Sequence, residues 1–65
     1  MNDDDLLGYF EIHSRTELAL FHRGHVTRLF ELAGRDVPAD LPKWLSVRYD
    51  VADPLVKEAR AKAAE

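Results

Sequence analysis

The chain has 65 residues, a formal net charge of −3 at pH 7 and no cysteine. A chain this short forms at most one small domain near the lower limit of independent folding. The lack of cysteine excludes disulfides, zinc ribbons and iron–sulfur clusters. No apolar run approaches about 18 residues, and an acidic start is the opposite of a signal peptide. We therefore expect one domain over residues 1–65, with no membrane segment, in the cytoplasm.

The excess negative charge lies at the amino terminus. Asp3, Asp4 and Asp5 account for all of it, because residues 6–65 contain equal numbers of acidic and basic side chains. Residues 6–65 are therefore neutral overall and lack the excess of basic side chains that a general nucleic-acid binder has. The three carboxylates suit the first turn of a helix, where they face the positive end of the helix dipole, with Asn2 as the N-cap.

Two helices are predicted in the first half of the chain. The first spans about residues 3–12, although the segment 9–12 also suits a short strand. Ser14 to Glu17 fits a capping box, in which the Ser14 hydroxyl and the Glu17 carboxylate bind each other's backbone amides. Gly34 suits the left-handed residue just past a helix end. These signals predict a long central helix over about 15–33.

The sequence of the second half of the chain indicates a carboxy-terminal helix that follows an extended or turn segment. Asp53-Pro54 reads as an N-cap and first helical residue, which starts a helix over about 54–64. Glu58 and Lys62 have the spacing of a favourable ion pair. The apolar stripe of this helix is predicted to comprise Leu55, Val56, Ala59 and Ala63.

The segment 44–51 alternates between apolar and polar residues. Leu45, Val47, Tyr49 and Val51 would share one face of a strand. A short helix opening at Pro42 is the competing interpretation. The predicted fold class is a mainly α, small helical domain with a long central helix, and the alternative is an α+β fold with a short strand at 44–51.

The predicted central helix would carry an apolar arc over about half of its circumference, which one neighbouring helix cannot cover. Leu20 lies outside this arc as an exposed apolar residue. We therefore expect another protein, or a second copy in a homodimer, to cover part of this arc. The alternative is that the amino- and carboxy-terminal segments of the same chain cover all of it.

His22 and His25 fall within the same arc at a spacing that could place two imidazoles on one metal ion. Only His13 and Glu17 are near enough to add ligands, so we predict no metal site. The pair is interpreted as a partly buried, hydrogen-bonded pair at a core edge or interface, with a pH-responsive contact as the alternative.

The sequence offers no recognisable catalytic constellation. Ser14 is assigned to a cap, the three glycines form no phosphate loop, and a chain this short has little room for a deep pocket. We predict no enzyme, no catalytic residue, no cofactor and no small-molecule substrate.

The predicted function is non-catalytic binding to another protein, as a small subunit, adaptor or inhibitor within a larger assembly. The size and composition are typical of bacterial or phage accessory proteins. Trp44, Arg48 and Tyr49 are candidate contacts because tryptophan, tyrosine and arginine often dominate binding energy. Trp44 could alternatively close the core. Three further residues are added as candidate contacts: Leu20, His22 and His25.

A helix-turn-helix DNA-binding regulator is the alternative function. Residues 16–19 and 26–29 resemble the two helices of that motif, with Gly24 between them. Gly24 comes one residue later than the motif requires, and the arginines fan around the predicted helix. Nucleic acid is therefore not the expected partner.

Overall fold

The computed structural model describes residues 1–16 and 18–65. The elements, in chain order, are helix α1 (Asp3–His13), strand β1 (Phe21–His22), helix α2 (Arg23–Leu32), strand β2 (Trp44–Leu45) and helix α3 (Tyr49–Ala63). The two strands form one antiparallel ribbon. The predicted class, mainly α with a small helical architecture, is confirmed. None of the helices in these two ranges is long and apolar enough to cross a membrane.

Helix α1 begins where the sequence predicts. The Asn2 side chain accepts a hydrogen bond of 2.8 Å from the Asp5 amide, and three aspartates occupy the first turn. This cap satisfies an amide that has no partner within the helix, and the carboxylates face the positive end of its dipole. The buried face of α1 consists of Leu6, Leu7 and Phe10.

The predicted central helix over 15–33 is wrong in its first half, because α2 begins only at Arg23. Phe21 gives the reason: its side chain is 1% exposed, and its ring stacks on Phe10 with centroids 4.4 Å apart. Extended backbone points Phe21 inward and its two sequence neighbours outward. The apolar arc over half of a helix circumference therefore does not form. It no longer supports the expectation that a second chain covers part of this helix.

The capping box at Ser14 is also corrected. Ser14 ends α1 instead of starting α2, since its backbone amide donates to the Phe10 carbonyl at 3.1 Å. Its hydroxyl is buried without a hydrogen-bond partner among the described residues. Glu17, the other half of the predicted box, lies outside the described residues. The cap of α2 is His22, whose Nδ1 accepts from the Gly24 amide at 3.0 Å.

The end of α2 follows the sequence prediction. Gly34 has a φ of +71°, in the left-handed region that glycine adopts without strain. Its amide donates to the Glu31 carbonyl at 3.0 Å, and the Arg35 amide donates to the Phe30 carbonyl at 2.9 Å. These two bonds form a Schellman motif, which satisfies carbonyls that the helix leaves free.

Helix α3 begins at Tyr49, five residues before the predicted start, and Pro54 lies inside it. The strand alternative for 44–51 is correct only for Trp44 and Leu45. Asp53 does not cap the helix but pairs with Lys57 at 3.1 Å, and the Glu58 carboxylate binds Arg35 rather than Lys62. Of the predicted stripe, Leu55, Val56 and Ala59 are buried and Ala63 is exposed.

The helices pack around one apolar cluster, and ion pairs join their outer surfaces. Arg28 on α2 donates to both carboxylate oxygens of Asp3 on α1, at 3.1 and 2.9 Å. Arg60 on α3 reaches Glu11 at 2.8 Å. Hydrogen bonding from Arg28 lowers the pKa of Asp3 below its ordinary value of 3.8, and hydrogen bonding from Arg35 lowers the pKa of Glu58 below 4.5.

Candidate functional site

The two-stranded ribbon separates an inner from an outer side. Phe21 pairs with Leu45 and His22 with Trp44. Phe21 is buried and Leu45 packs against the core, so alternation along the strands turns His22 and Trp44 outward. Leu20, directly before β1, is also turned outward and is 57% exposed. We call the outer side, made of Leu20, His22 and Trp44, the ribbon face.

Trp44 does not close the core, which corrects that interpretation of the sequence. Its side chain is 54% exposed, although it is the largest apolar residue of the chain. The centre of the core is filled instead by five almost fully buried side chains: Phe10, Phe21, Val26, Leu29 and Val56. The exposed tryptophan is therefore a surface feature that the packing of this fold does not require.

The ribbon face continues into a row of rings. His22 lies edge-on to Trp44 with centroids 5.1 Å apart, and His25 is 6.3 Å from His22. Tyr9 is 6.3 Å from His25 and 4.3 Å from His13. We call these five residues the aromatic row. It brings together three predicted contacts, Trp44, His22 and His25.

Tyr9 and His13 were not predicted from the sequence as members of the row. Their spacing of four residues on α1 places both on one face, which was the available signal. Their approach to α2 could not be read from the sequence, because it depends on the packing of α1 beside the ribbon.

The two histidines predicted as a pair do not form a metal site. Within residues 1–16 and 18–65, no group of three or more histidine, aspartate or glutamate side chains is arranged to hold a metal ion. The His22 Nδ1 atom accepts from the Gly24 amide, so that nitrogen is already used as the cap of α2. His22 is a capping residue and part of the ribbon face at the same time.

Two cations, Arg23 and Lys43, lie at the end of the ribbon. The Arg23 amide donates to the Lys43 carbonyl at 2.8 Å, which places the two residues opposite each other next to the His22–Trp44 pair. Among the described residues, neither side chain has a carboxylate within 4.0 Å. The two cations thus lie directly next to the ribbon face along the chain, and the Arg23 guanidinium extends to the Leu41 carbonyl, 3.5 Å away.

Arg48 and Tyr49, the remaining predicted contacts, lie apart from the ribbon face at the start of α3. The Arg15 guanidinium lies 4.6 Å from the Tyr49 ring centroid and donates to the Tyr49 hydroxyl at 3.3 Å. Arg48 is exposed and lies 3.7 Å from the Asp50 carboxylate. The predicted contacts therefore divide between two places, the ribbon face and this second cluster.

The proposed placement of a helix-turn-helix motif is wrong. It required a helix over residues 16–19, whereas Thr16, Leu18 and Ala19 lie outside the helices. Gly24 belongs to the first turn of α2 and does not form a turn between two helices.

No family model, curated protein or solved structure is significantly similar to this chain.

Proposed function

We propose that this protein is a non-catalytic protein-binding module, acting as a small subunit, adaptor or inhibitor within a larger assembly, and that it binds its partner through the ribbon face. The observation that carries this proposal is the exposure of Trp44. A fold of this size gains stability by burying its largest apolar side chain, yet Trp44 is left half in solvent, and Leu20, which directly precedes β1, is exposed too.

Tryptophan suits such a role for a physical reason. Its ring removes a large apolar area from water on binding while only two side-chain torsions are fixed. The edge contact with His22 restricts the orientation of the Trp44 ring before a partner arrives. Restriction in the free state reduces the entropy that is lost on binding.

The charge beside the ribbon face indicates the chemistry of the partner. Arg23 and Lys43 lie next to His22 and Trp44 along the chain, and complementary charge across an interface favours the correct partner and speeds association. We therefore propose a protein partner with an apolar pocket for Trp44 and carboxylates around that pocket. The expected cytoplasmic location belongs to the same proposal, and fractionation of the source cells tests it.

Affinity capture from the source cells tests the proposal with two matched variants. Trp44→Ala removes the proposed anchor, and Val51→Ala removes an apolar side chain of similar exposure, 50%, on α3. We expect one acidic protein to be captured by the wild type and by Val51→Ala but lost with Trp44→Ala. Equal capture by all three baits would contradict the role of the ribbon face.

A second copy of the chain is the competing occupant of the ribbon face. Sedimentation of the purified protein at micromolar concentration distinguishes the two. If the protein sediments as a dimer and Trp44→Ala makes it monomeric, the ribbon face is a homodimer interface and the proposal of an acidic partner is wrong. If the protein is a monomer whose Tm does not depend on concentration, the acidic partner is supported.

A further inference from the structure

One imidazole ring contacts both the start of α2 and the outer side of the ribbon. The His22 Nδ1 atom accepts a hydrogen bond of 3.0 Å from the Gly24 amide, and this bond caps α2. The same ring lies edge-on to the Trp44 ring, with centroids 5.1 Å apart. A change in the state of the His22 ring therefore acts on the helix and on the ribbon face together.

The cap bond requires a neutral His22. An imidazole nitrogen accepts a hydrogen bond only while it carries no proton, so the bond to Gly24 places the proton of the neutral ring on Nε2. The usual N-cap residues are serine, threonine, aspartate and asparagine, whose oxygens remain acceptors at physiological pH. Histidine is the side chain that gains a proton between about pH 8 and pH 5. Mild acid therefore removes this cap, whereas it would leave an ordinary cap in place.

Residue 24 suits this cap because it has no side chain. A Cβ built at Gly24 would lie 3.2 Å from His22 Nδ1 and 3.7 Å from His22 Cε1, so the ring lies close against the Gly24 backbone. A proton on Nδ1 would point at the Gly24 N–H and set two donors against each other. The protonated ring therefore has to leave this position.

The surroundings of His22 do not compensate a positive charge on the ring. In the part of the chain that the structure describes, no carboxylate lies within 4.0 Å of the imidazole nitrogens. The positive end of the α2 dipole also opposes a cation at the N-cap. The nearest titratable and charged side chains of the neighbouring elements are neutral or basic: Arg23 and His25 on α2, Lys43 before β2, and Tyr9 and His13 on α1.

We propose that His22 is a pH-sensitive switch, in which the neutral ring caps α2 and orients Trp44 and the protonated ring releases both. The fold binds the neutral form, so the stabilisation is complete above the range in which imidazole gains a proton and is lost as the pH falls through that range. This range lies above the ordinary pKa values of Asp3 and Glu58, 3.8 and 4.5, so the ion pairs of those residues remain intact. The switch is a property of the free protein, goes beyond the proposed function and is tested without a partner.

NMR of the free protein, with ¹⁵N in the backbone and in the histidine rings, tests the cap directly. At about pH 7.5 we expect a scalar coupling across the hydrogen bond between the Gly24 amide nitrogen and His22 Nδ1. The coupling should disappear at about pH 5, and the Gly24 amide and Trp44 indole resonances should shift with the same midpoint as the His22 ring. Absence of the coupling at the higher pH, or Gly24 and Trp44 resonances that do not follow the His22 ring, would overturn the switch.

Two matched variants show whether His22 is the group that titrates. His22→Asn keeps an acceptor for the Gly24 amide but has no ionisable group, and His25→Asn removes an imidazole that does not cap α2. Between about pH 7.5 and pH 5, the Tm of the wild type and of His25→Asn should fall by about 4 °C or more relative to that of His22→Asn, the change expected for one lost cap. Equal pH profiles of the wild type and His22→Asn would contradict the proposal, as would a response that His25→Asn abolishes.

Discussion

His22 and Trp44 face each other across the ribbon, with ring centroids 5.1 Å apart and planes at 83°. Each belongs to a strand of only two residues, so few backbone hydrogen bonds hold the pair. The inner side of the ribbon is held by the core, where the Phe21 ring stacks on the Phe10 ring. Core packing on one side of the ribbon therefore fixes the position of the exposed rings on the other.

Removal of the Trp44 ring should leave the fold intact. Because the side chain is half in solvent, we expect Trp44→Ala to change the free energy of unfolding by less than about 1 kcal/mol. Phe21→Ala, which empties a core position under the same ribbon, should cost about 3–5 kcal/mol and unfold much of the protein. Chemical denaturation followed by circular dichroism measures both. Comparable losses from the two variants would show that Trp44 is part of the core.

The hydroxyl of Ser14 should not contribute to stability. A helix cap at Ser14 would make Ser14→Ala cost about 1 kcal/mol. The buried, unpaired hydroxyl predicts the opposite sign, since its removal relieves a desolvation penalty of about 1–3 kcal/mol in full or in part. We expect Ser14→Ala to unfold at the same or a higher temperature than the wild type. A clear decrease would restore the capping role.

Two glycines should respond to alanine in opposite directions. At Gly34 the φ of +71° is strained for any residue with a Cβ, so alanine should destabilise the fold by about 1 kcal/mol or more, although the Lys62 side chain nearby can move aside. At Gly8, in α1, an added Cβ would meet no described atom of another element within 4 Å, so alanine should stabilise the helix by roughly 0.5–1 kcal/mol. Thermal melts of both variants provide the comparison. A stabilising Gly34→Ala would contradict the Schellman ending of α2.

Acid should weaken the ion pairs that join the helices. Because the pKa values of Asp3 and Glu58 are lowered in the fold, both pairs stabilise it above the ordinary pKa values of 3.8 and 4.5. That contribution declines as the pH falls below these values and is lost as it passes through the lowered ones. We expect the wild-type Tm to fall more steeply below pH 4.5 than that of an Arg28→Gln, Arg35→Gln double variant. Parallel pH profiles would show that the pairs contribute nothing.

The parts of the fold that the sequence predicted depend on local chemistry. Asn2 before three aspartates and Gly34 after Ala33 both specify a helix end through bonds to residues at most five positions away. The helix predicted over 15–33 begins only at Arg23, and the cause is a nonlocal contact. Apolar spacing is compatible with a helix through Phe21, whereas the stacking of Phe21 on Phe10 and its pairing with Leu45 hold extended backbone at Phe21 and His22.

The candidate sites were predictable to a smaller degree. Trp44 was identified by residue type, but its exposure depends on whether other side chains fill the core. Tyr9 was missed because it acquires its place in the aromatic row from a partner far along the chain, His25. Sequence spacing describes one element at a time and does not show which elements meet.

The most direct test of the ribbon face is the dissociation constant of the captured partner, measured by calorimetry for the wild type, Trp44→Ala and Val51→Ala. If Trp44 anchors the interface, Trp44→Ala should lose about 2 kcal/mol or more, roughly thirtyfold in affinity, while Val51→Ala binds as the wild type does. Equal dissociation constants for the wild type and Trp44→Ala would contradict the account.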